Sequence, residues 1–565
     1  MHAFANLLDR LSYEPRRNGK LALMEDYFRH TPDPERGYGL AALTDELTFQ
    51  NAKPGLIRAL VAERTDPVLF ALSRDYVGDL SETVALMWPR RPRQGDLIGH
   101  NAPPGPLLSE VILGLQTTGK AALPGQLAAW LDGLDEIGRW ALLKLITGAL
   151  RVGVSARLAK TAVARLGPVE VNEVEEVWHG LAPPYLTLFD WLEGRSPPPE
   201  SRDPAPFRPP MLANPTDLEE LTRTEAPEAF AAEWKWDGIR VEVAAGRDAG
   251  GRHIARLYSR SGDDISATFP DVVDAVDFDG AIDGELLIVR EGMVQSFNVL
   301  QQRLNRKSVT EKLTRDFPAH VRAYDLLALG GEDLRPLPFA ERRARLEAFV
   351  AGLGPMFSVS EPVRFGTWEE VAAARADPQS AGAGSDAAAV EGVMLKRLDS
   401  AYVPGRPKGL WYKWKQDPHV VDAVLMYAQR GSGKRSSFYS DYTFGLWTEV
   451  DGAPGLVPVG KAYFGFTDEE LKEIDKFVRN NTINRFGPVR EVVHEAGEGL
   501  VLEVAFEGVN RSTRHKSGVA MRFPRISRLR WDKPPGEADR LATLERLIPS
   551  DAAESAAARR GRRKR

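Results

Sequence analysis

The sequence contains no cysteine, and it also lacks a long apolar run. Without cysteine there is no disulfide, no thiolate zinc site, no iron–sulfur cluster and no cysteine nucleophile. No apolar stretch approaches the roughly 20 residues that a transmembrane helix needs. The opening MHAFANLLDRLSYEP contains an acid and no cleavage-site pattern, so no signal peptide is expected. These absences predict a soluble cytoplasmic protein with no membrane partner.

The net charge of −5 does not suggest indiscriminate binding to nucleic acid, but the basic residues are unevenly distributed. Residues 511–530 contain seven Lys or Arg and no acid, and the last seven residues contain six basic ones. Both segments are candidates for binding a polyanion. A solvated charged edge and a disordered tail are the alternatives.

At 565 residues the chain is too long for one core, and two to four domains are expected. Apolar residues recur at helical spacing over residues 1–192. A proline-rich linker follows over 194–206. Short strands then alternate with helices to about 416, interrupted by an expected flexible loop over 376–389. Strands dominate 417–532, and a short helical segment at 537–548 precedes the basic tail.

The segment EWKWDGIRVEV places a lysine, Lys235, between two tryptophans. The large apolar residues occupy even positions before Asp237-Gly238 and odd positions after it. The strand register must therefore be reset there, and Asp-Gly is a strong hairpin signal. Glu233, Lys235 and Asp237 are predicted to share one face at the end of a strand. An amphipathic hairpin with a surface lysine and a site that uses the amine for chemistry are both compatible with this segment.

Three further clusters place a carboxylate or an amine at the edge of an apolar strand: IDGELLI with Glu285, EGVMLK with Glu391 and Lys396, and WYKWK. In the last cluster Lys413 and Lys415 share one face, and Tyr412 and Trp414 share the other. Each cluster alone is compatible with an ordinary half-buried strand. Together they fit a site for a polyphosphate and a divalent metal ion, with carboxylates for Mg²⁺ and lysines for phosphate oxygens.

These clusters resemble the motifs of the covalent nucleotidyltransferases, the superfamily of DNA ligases, RNA ligases and mRNA-capping enzymes. EWKWDGIR resembles the Lys-x-Asp-Gly-x-Arg signature, and the other motifs follow in the family's order: YSRSGDD (258–264), DGEL (283–286), AYDLL (323–327), EGVMLK (391–396), WYKWK (411–415) and RLRWDK (528–533). The helical N-terminal region resembles the DNA-binding domain of large ATP-dependent DNA ligases at VGDLSE (77–82) and ALRVGVS (149–155). Bacterial ligases with three domains are the nearest resemblance.

The resemblance implies a role for each motif residue. Lys235 is expected to attack the α-phosphate of ATP and carry AMP as a lysyl–AMP phosphoramidate. It must be unprotonated to do so, which the tryptophans and nearby lysines favour. Tyr324 stands where the family usually has phenylalanine, a change that keeps an aromatic face for the adenine. Glu233 is expected to contact the adenine amino group, Arg406 the nucleotide, and Arg240 and Arg260 either AMP or the 5′-phosphate of the nick. Glu285 and Glu391 are expected to bind Mg²⁺. The expected phosphate contacts are Lys396, Lys413 and Lys415, and the expected pyrophosphate contacts are Arg530, Asp532 and Lys533.

The resemblance also implies a multidomain fold that combines α with α+β and β domains. It has a helical DNA-binding domain over 1–200, an α+β adenylation domain over 207–416, an OB-fold β-barrel over 417–548 and a basic, disordered tail over 549–565. A hinge is expected near Gln416-Asp417. The substrates would be ATP and nicked duplex DNA, handled by a monomer associated with the nucleoid. A helicase or a nuclease is a possible partner by resemblance only.

Other interpretations fit less well. NAD-dependent ligases carry a four-cysteine zinc module, which this sequence cannot form. RNA ligases and capping enzymes do not need a helical domain of about 200 residues. A silent nick-binding protein would have no reason to keep Lys235 together with both metal-binding glutamates. The RGSGK segment at 430–434 does not match a phosphate-binding loop, because Ala428 stands at the first glycine position and Arg435 follows the lysine. The nine histidines show no metal-ligand spacing.

Overall fold

The computed structural model describes residues 1–77, 79–89, 105–148, 150–199, 203–304, 309–430, 438–450, 452–512 and 515–548. The basic tail and most of the RGSGK segment lie outside these residues. The chain forms two compact units. The first contains Met1–Leu23, Leu47–Val154 and Asp417–Arg565, and the second contains Met24–Glu46 and Ser155–Gln416. The predicted hinge at Gln416-Asp417 falls on a border between the units, and the domain boundaries themselves stay predictions.

Within residues 1–192 the regular elements of the described residues are all helices, as the apolar spacing predicts. Asp79 in the VGDLSE motif begins one helix by accepting a hydrogen bond from the Glu82 N–H, and it also pairs with Lys144 Nζ at 2.6 Å. Ser155 in the ALRVGVS motif caps another helix in the same way. The helices are α1 (His2–Tyr13), α2 (Arg17–His30), α3 (Glu35–Leu43), α4 (Pro54–Ala62), α5 (Pro67–Val77), α6 (Leu80–Met87), α7 (Leu108–Thr117), α8 (Leu123–Gly133), α9 (Glu136–Thr147), α10 (Ala156–Ala164), α11 (Val171–Trp178) and α12 (Leu186–Leu192).

Strands and helices alternate from residue 207 to residue 416, as predicted. The strands are β1 (Asn214–Pro215), β2 (Phe230–Trp236), β3 (Ile239–Arg247), β4 (His253–Ser259), β5 (Gly280–Arg290), β6 (Met293–Val294), β7 (Ala319–Leu329), β8 (Glu332–Asp333), β9 (Phe357–Val359), β10 (Pro362–Val363), β11 (Val390–Arg397) and β12 (Trp411–Lys415). The helices are α13 (Leu218–Thr224), α14 (Pro270–Asp274), α15 (Phe297–Gln301), α16 (Glu311–Asp316), α17 (Phe339–Val350) and α18 (Trp368–Ala376).

These strands form two sheets. The first has the order β1-β12-β11-β2-β10, and its pairs are antiparallel except for β1 with β12. The second has the order β4-β3-β5-β7-β8, with β6 beside β5 and β9 parallel to β7. Trp234 and Trp236 of β2 pack with Tyr412 and Trp414 of β12 in one apolar core. The predicted alternation along both strands is therefore confirmed, because Lys235, Lys413 and Lys415 occupy the other face.

The predicted hairpin at Asp237-Gly238 is wrong. The strand does end there, but β2 pairs with β10 and β11, whereas β3 pairs with β4 and β5. The Asp-Gly pair therefore carries the chain from one sheet into the other. Gly238 is needed because a Cβ atom at this position would lie 2.6 Å from the Leu286 carbonyl oxygen. A close approach of the backbone to strand β5 gives the same local sequence signal as a tight turn.

The predicted loop at 376–389 is also different in the structure. Short helical turns occupy Gln379–Ala383 and Gly384–Ala389. Asp386 fixes the second turn, since it accepts a hydrogen bond from the Val294 N–H at 2.9 Å and pairs with Arg322 at 3.3 Å. The alanine- and glycine-rich composition predicts a loop, because composition alone does not reveal the contacts that Asp386 makes with Val294 and Arg322.

The C-terminal region is mostly strand, with one long helix that the sequence pattern did not predict. Strand β13 pairs with three neighbours, β14, β17 and β18, within a seven-stranded sheet, and β19 and β20 form a separate hairpin. The elements are β13 (His419–Arg430), β14 (Tyr439–Val450), β15 (Ala453–Ala462), α19 (Asp468–Asn480), β16 (Thr482–Phe486), β17 (Val489–Val492), β18 (Val501–Phe506), β19 (Gly508–Arg511), β20 (Val519–Arg522), β21 (Arg525–Arg530) and α20 (Leu541–Glu545). Among the described residues no helix is both long enough and apolar enough to span a membrane.

A buried ion pair joins helix α17 to strand β7 in the second unit. Arg342 Nε donates to Asp325 Oδ1 at 2.8 Å, and Nη2 donates to Oδ2 at 2.9 Å. Both side chains have no exposed surface. Arg342 also donates to the Ser400 carbonyl oxygen at 2.9 Å. Asp325 of the AYDLL motif is thus a structural residue that supports the strand carrying Tyr324.

Replacing Arg342 by methionine should destabilise the second unit by about 3–5 kcal/mol, because Asp325 would remain buried without its charge partner. Urea unfolding followed by tryptophan fluorescence measures this loss. Arg345→Met is the matched control on the same helix. Arg345 is 37% exposed and pairs with surface glutamates, so its loss should change stability by no more than about 0.5 kcal/mol. Equal destabilisation by the two variants would contradict this prediction.

Candidate active site

Lys235 lies near the end of β2, and its amine pairs with the carboxylate of Glu391 on the adjacent strand β11. The lysine side chain is 21% exposed, so the amine is reachable from solvent although its strand is central in the sheet. Both flanking tryptophans are buried on the opposite face. The strand therefore fixes the direction of the amine, and an acidic residue sits directly against it.

A β-bulge turns Glu391 toward Lys235. The pairing of β11 with β2 shifts between Val390 and Gly392, where Gly392 has φ +145°. A Cβ atom on Gly392 would lie 2.2 Å from the Trp414 carbonyl oxygen, so only glycine fits this bulge. In a strand without a bulge, Glu391 and Lys396 would lie on opposite faces because they are five positions apart. Both instead contact residues of the polar face of β2, Lys235 and Glu233.

A group of cations surrounds Lys413. Lys415 pairs with Glu391 at 3.0 Å. Burial lowers the pKa of Lys413, and the charges of Arg406, Lys235, Lys415 and Arg260 lower it further. Burial also lowers the pKa of Arg260, with contributions from Arg240 and Arg406. Arg260, Arg406, Lys413 and Lys415, which are predicted to contact the nucleotide or the nick, are therefore close enough to repel one another, and a bound polyphosphate would relieve this repulsion.

Glu285 on β5 and Glu391 form the acidic part of the site. Burial raises the pKa of Glu285 to about 8. The charges of Glu391 and Asp283 also raise this pKa, whereas the charges of Lys235 and Arg240 lower it. For Glu391 burial is outweighed by Lys235 and Lys415, which hold its pKa below the ordinary value. A divalent cation would favour the ionised form of Glu285.

No cluster of three or more metal-ligating side chains occurs in the described part of the chain. Two neighbouring carboxylates nevertheless fit Mg²⁺, which commonly takes one or two protein carboxylates and completes its shell with substrate phosphates and water.

Tyr324 and Glu233 form a second part of the site, around the amine of Lys396. Lys396 Nζ is 4.6 Å from the centre of the Tyr324 ring and donates to the Tyr324 carbonyl oxygen at 2.9 Å. The same amine pairs with Glu233 Oε2 at 3.0 Å. Burial lowers the pKa of Lys396, although Glu233 and Asp325 act to raise it. The structure thus places Lys396 beside Glu233, and its contact with phosphate stays a prediction.

Arg240 is held by protein groups on several sides. It donates to Asp283 at 3.0 and 2.6 Å, to the Met211 carbonyl oxygen at 2.7 Å and to the Tyr402 hydroxyl at 3.1 Å. Its side chain is 16% exposed. Arg240 lies opposite Glu285 in the pairing of β3 with β5. The hydrogen bonds of Arg240 therefore help to order the part of the site around Glu285.

The RLRWDK residues belong to the first unit, where they pair with carboxylates of that unit. Asp422 Oδ2 accepts from Arg530 at 3.0 Å and from Lys533 at 2.8 Å. Arg530 also donates to Asp532, and this contact lowers the pKa of Asp532 to about 2. The three predicted residues are therefore together, and Asp422 connects two of them.

Sequence reasoning missed several residues of the site. Asp283 stood inside the quoted DGEL motif, but only Glu285 was selected from it. Tyr402 comes from a segment without a motif, as does Asp422, which pairs with the RLRWDK residues within the first unit. Arg343, which pairs with Glu233 at 2.7 Å, lies in an ordinary amphipathic helix. No local signal distinguishes Arg343, because Arg342 and Arg345 on the same helix are also paired with carboxylates.

Comparison with known proteins agrees with this geometry. The family model described as ATP dependent DNA ligase domain matches residues 210–415, and that of the ATP dependent DNA ligase C terminal region matches residues 435–533. The chain is 34% identical to a probable DNA ligase of Koribacter versatilis over 72% of each chain. It is 30% identical to DNA ligase 1 of Korarchaeum cryptofilum over 96% of each.

Among solved structures, the one described as Pmar-Lig_Pre has a similar fold. Its TM-score is 0.54 at 16% identity, over 94% of this chain and 99% of that one. The sequence matches extend well beyond the nucleotide site into both flanking regions. The chain therefore belongs to the ATP-dependent DNA ligases, enzymes of the nucleotidyltransferase superfamily that use ATP to seal nicks in DNA.

Proposed function

We propose that Lys235 is the nucleophile of this ligase. The contact of its amine with Glu391, inside a ring of cations suited to a polyphosphate, is the observation that carries the proposal. In the first step the neutral amine attacks the α-phosphorus of ATP, an N–P bond forms, and pyrophosphate leaves. Glu391 stabilises the charged amine in the free enzyme, so this ion pair must be broken before the attack.

Two further phosphoryl transfers complete the reaction. An oxygen of the 5′-phosphate of the nick attacks the lysyl–AMP phosphorus, and the lysine amine leaves. The 3′-hydroxyl then attacks the 5′-phosphate, a phosphodiester forms, and AMP leaves. Lys235 is covalently bound only between the first step and the second. Lys413, Lys415, Arg260 and Arg406 are proposed to stabilise phosphate charge.

Glu285 and Glu391 are proposed to hold Mg²⁺, which would neutralise phosphate charge when bound. Glu233 is proposed to accept a hydrogen bond from the adenine amino group, and Tyr324 to stack against the base. Lys396 is proposed to reach a phosphate oxygen. Arg240 is proposed to contact AMP or the 5′-phosphate of the nick, and Arg530, Asp532 and Lys533 to orient the leaving pyrophosphate.

We propose that residues 1–200 bind the duplex, that 207–416 form the adenylation domain, and that 417–548 form an OB-fold barrel. Strand β13 pairs with three neighbours, as a strand at the seam of a closed barrel does, and this supports the last assignment. Action as a monomer near the nucleoid, and contact with a repair helicase or nuclease, rest on the resemblance alone.

Lys235→Ala should abolish transfer of AMP from α-labelled ATP to the protein and should abolish ATP-driven sealing. The isolated third step, tested on a nick that already carries 5′-AMP, should remain measurable with Mg²⁺, because this step depends on positioning and charge stabilisation. Lys235→Arg should not rescue the first step, since a guanidinium stays protonated. Covalent labelling of Lys235→Ala with AMP would show that another lysine is the nucleophile.

The affinity for a divalent ion should increase as pH rises through about 8, because a proton competes with the cation for Glu285 below that pH. Binding of Mn²⁺, used as a probe for Mg²⁺, can be followed by electron paramagnetic resonance with α,β-methylene-ATP present. Glu285→Gln should weaken binding and remove most of the pH dependence. An unchanged pH profile in this variant would contradict the assignment of Glu285 to the metal.

Lys533→Ala and Asp532→Ala should slow formation of the AMP adduct, because the pyrophosphate that they contact takes part only in the first step. Sealing of a pre-adenylylated nick should stay near the wild-type rate. The two assays are run on the same preparations. A parallel loss of both activities would show that these residues bind DNA or maintain the fold instead.

A further inference from the structure

Arg343 is fixed in place by three partners in the second unit. Its Nη1 donates to Glu233 Oε1 at 2.7 Å, Nη2 donates to the Ser360 carbonyl oxygen at 2.6 Å, and Nε donates to Glu347 Oε1 at 2.7 Å. The side chain is 13% exposed. A planar guanidinium held on all sides has a single orientation, so the N–H group that faces Glu233 is fixed as well.

The carboxylate of Glu233 is held by one cation on each oxygen. Oε1 accepts from Arg343, and Oε2 lies 3.0 Å from Lys396 Nζ. Glu233 is 3% exposed and Lys396 is 1% exposed, so water contributes little to this arrangement. A carboxylate offers about four lone pairs. Each oxygen therefore keeps room for one more donor.

The backbone around Glu233 is fixed by the same group of residues. Glu233 lies opposite Pro362 in the pairing of β2 with β10. Ser360, which binds Arg343 through its carbonyl oxygen, accepts a hydrogen bond from Trp236 Nε1 through its hydroxyl at 3.0 Å. Arg343 thus connects α17 to the strand that carries Lys235. A shift of this arginine would move Glu233 relative to the nucleotide.

A carboxylate fixed as an acceptor distinguishes two kinds of purine. A 6-amino purine such as adenine presents an N–H donor to it. A 6-oxo purine such as hypoxanthine presents an oxygen, which would face the carboxylate without a proton between them. A buried polar group without a hydrogen-bond partner costs free energy, so a hydrogen-bonding site of this kind discriminates strongly between the two purines.

We propose that Arg343 is a positioning residue that holds Glu233 as a hydrogen-bond acceptor and thereby sets the preference of this ligase for 6-amino over 6-oxo purine triphosphates. The inference rests on the proposed function, in which Glu233 faces the adenine. Arg343 itself does not touch the substrate. Its effect on the reaction passes through the orientation and the bonding of one carboxylate.

Arg343→Met tests this inference in the full-length protein. The rate of self-adenylylation is measured with ATP and with inosine triphosphate, each labelled at the α-phosphate. The ratio of the two kcat/KM values should fall by at least about tenfold. The KM for ATP should rise more than kcat falls. Arg343→Lys, which keeps the charge, should restore much of the ratio. Arg345→Met, a control on the same helix, should leave the ratio unchanged.

The ratio is a property of the folded fraction, so partial misfolding of a variant does not affect it. A variant that loses activity equally with both nucleotides would show that Arg343 is only structural and would overturn the inference. Glu233→Gln separates this failure from failure of the proposed function. If Glu233→Gln keeps the ratio, Glu233 does not face the base. If Glu233→Gln loses the ratio and Arg343→Met keeps it, only the inference about Arg343 is wrong. The double variant should have the ratio of Glu233→Gln alone.

Discussion

The site depends on one carboxylate, that of Glu391, which contacts two lysines from two different strands. Lys235 and Lys415 would repel each other without it, and each lies on a strand next to β11. The β-bulge at Gly392 turns this carboxylate toward both amines. A single backbone irregularity therefore decides whether Lys235, the proposed nucleophile, can meet the proposed phosphate-binding Lys415 and the proposed metal ligand Glu391 in one place.

The two glutamates of the site, Glu285 and Glu391, differ in pKa because of their surroundings. Glu391 has cations beside it, and its pKa lies below the ordinary value, whereas the pKa of Glu285 is raised to about 8. Two residues of the same type thus differ in charge near neutral pH. The free site therefore holds less negative charge than its sequence indicates, and this favours the approach of a triphosphate.

The sequence predicted the helical N-terminal region and the alternation of strands and helices in the middle region, because apolar periodicity is a local signal. The roles of the motif residues stay predictions. It failed where a contact between distant segments decides the structure. The Asp237-Gly238 pair predicts a hairpin, but here the glycine is required by the close approach of the backbone to strand β5. Asp386, which anchors a predicted loop, and Arg343, which lies in an ordinary helix, gave no local signal. The bulge at Gly392 also could not be inferred from alternation alone.

The pairing of Arg530 and Lys533 with Asp422 has a consequence for product release. If Arg530 and Lys533 contact the leaving pyrophosphate, as proposed, this product competes with an internal anion for the same two cations. Because Asp422 is attached to the same unit, its effective concentration is high and constant, whereas pyrophosphate is diluted as soon as it departs. The internal carboxylate would therefore recapture the cations and lower the affinity of the adenylylated enzyme for pyrophosphate.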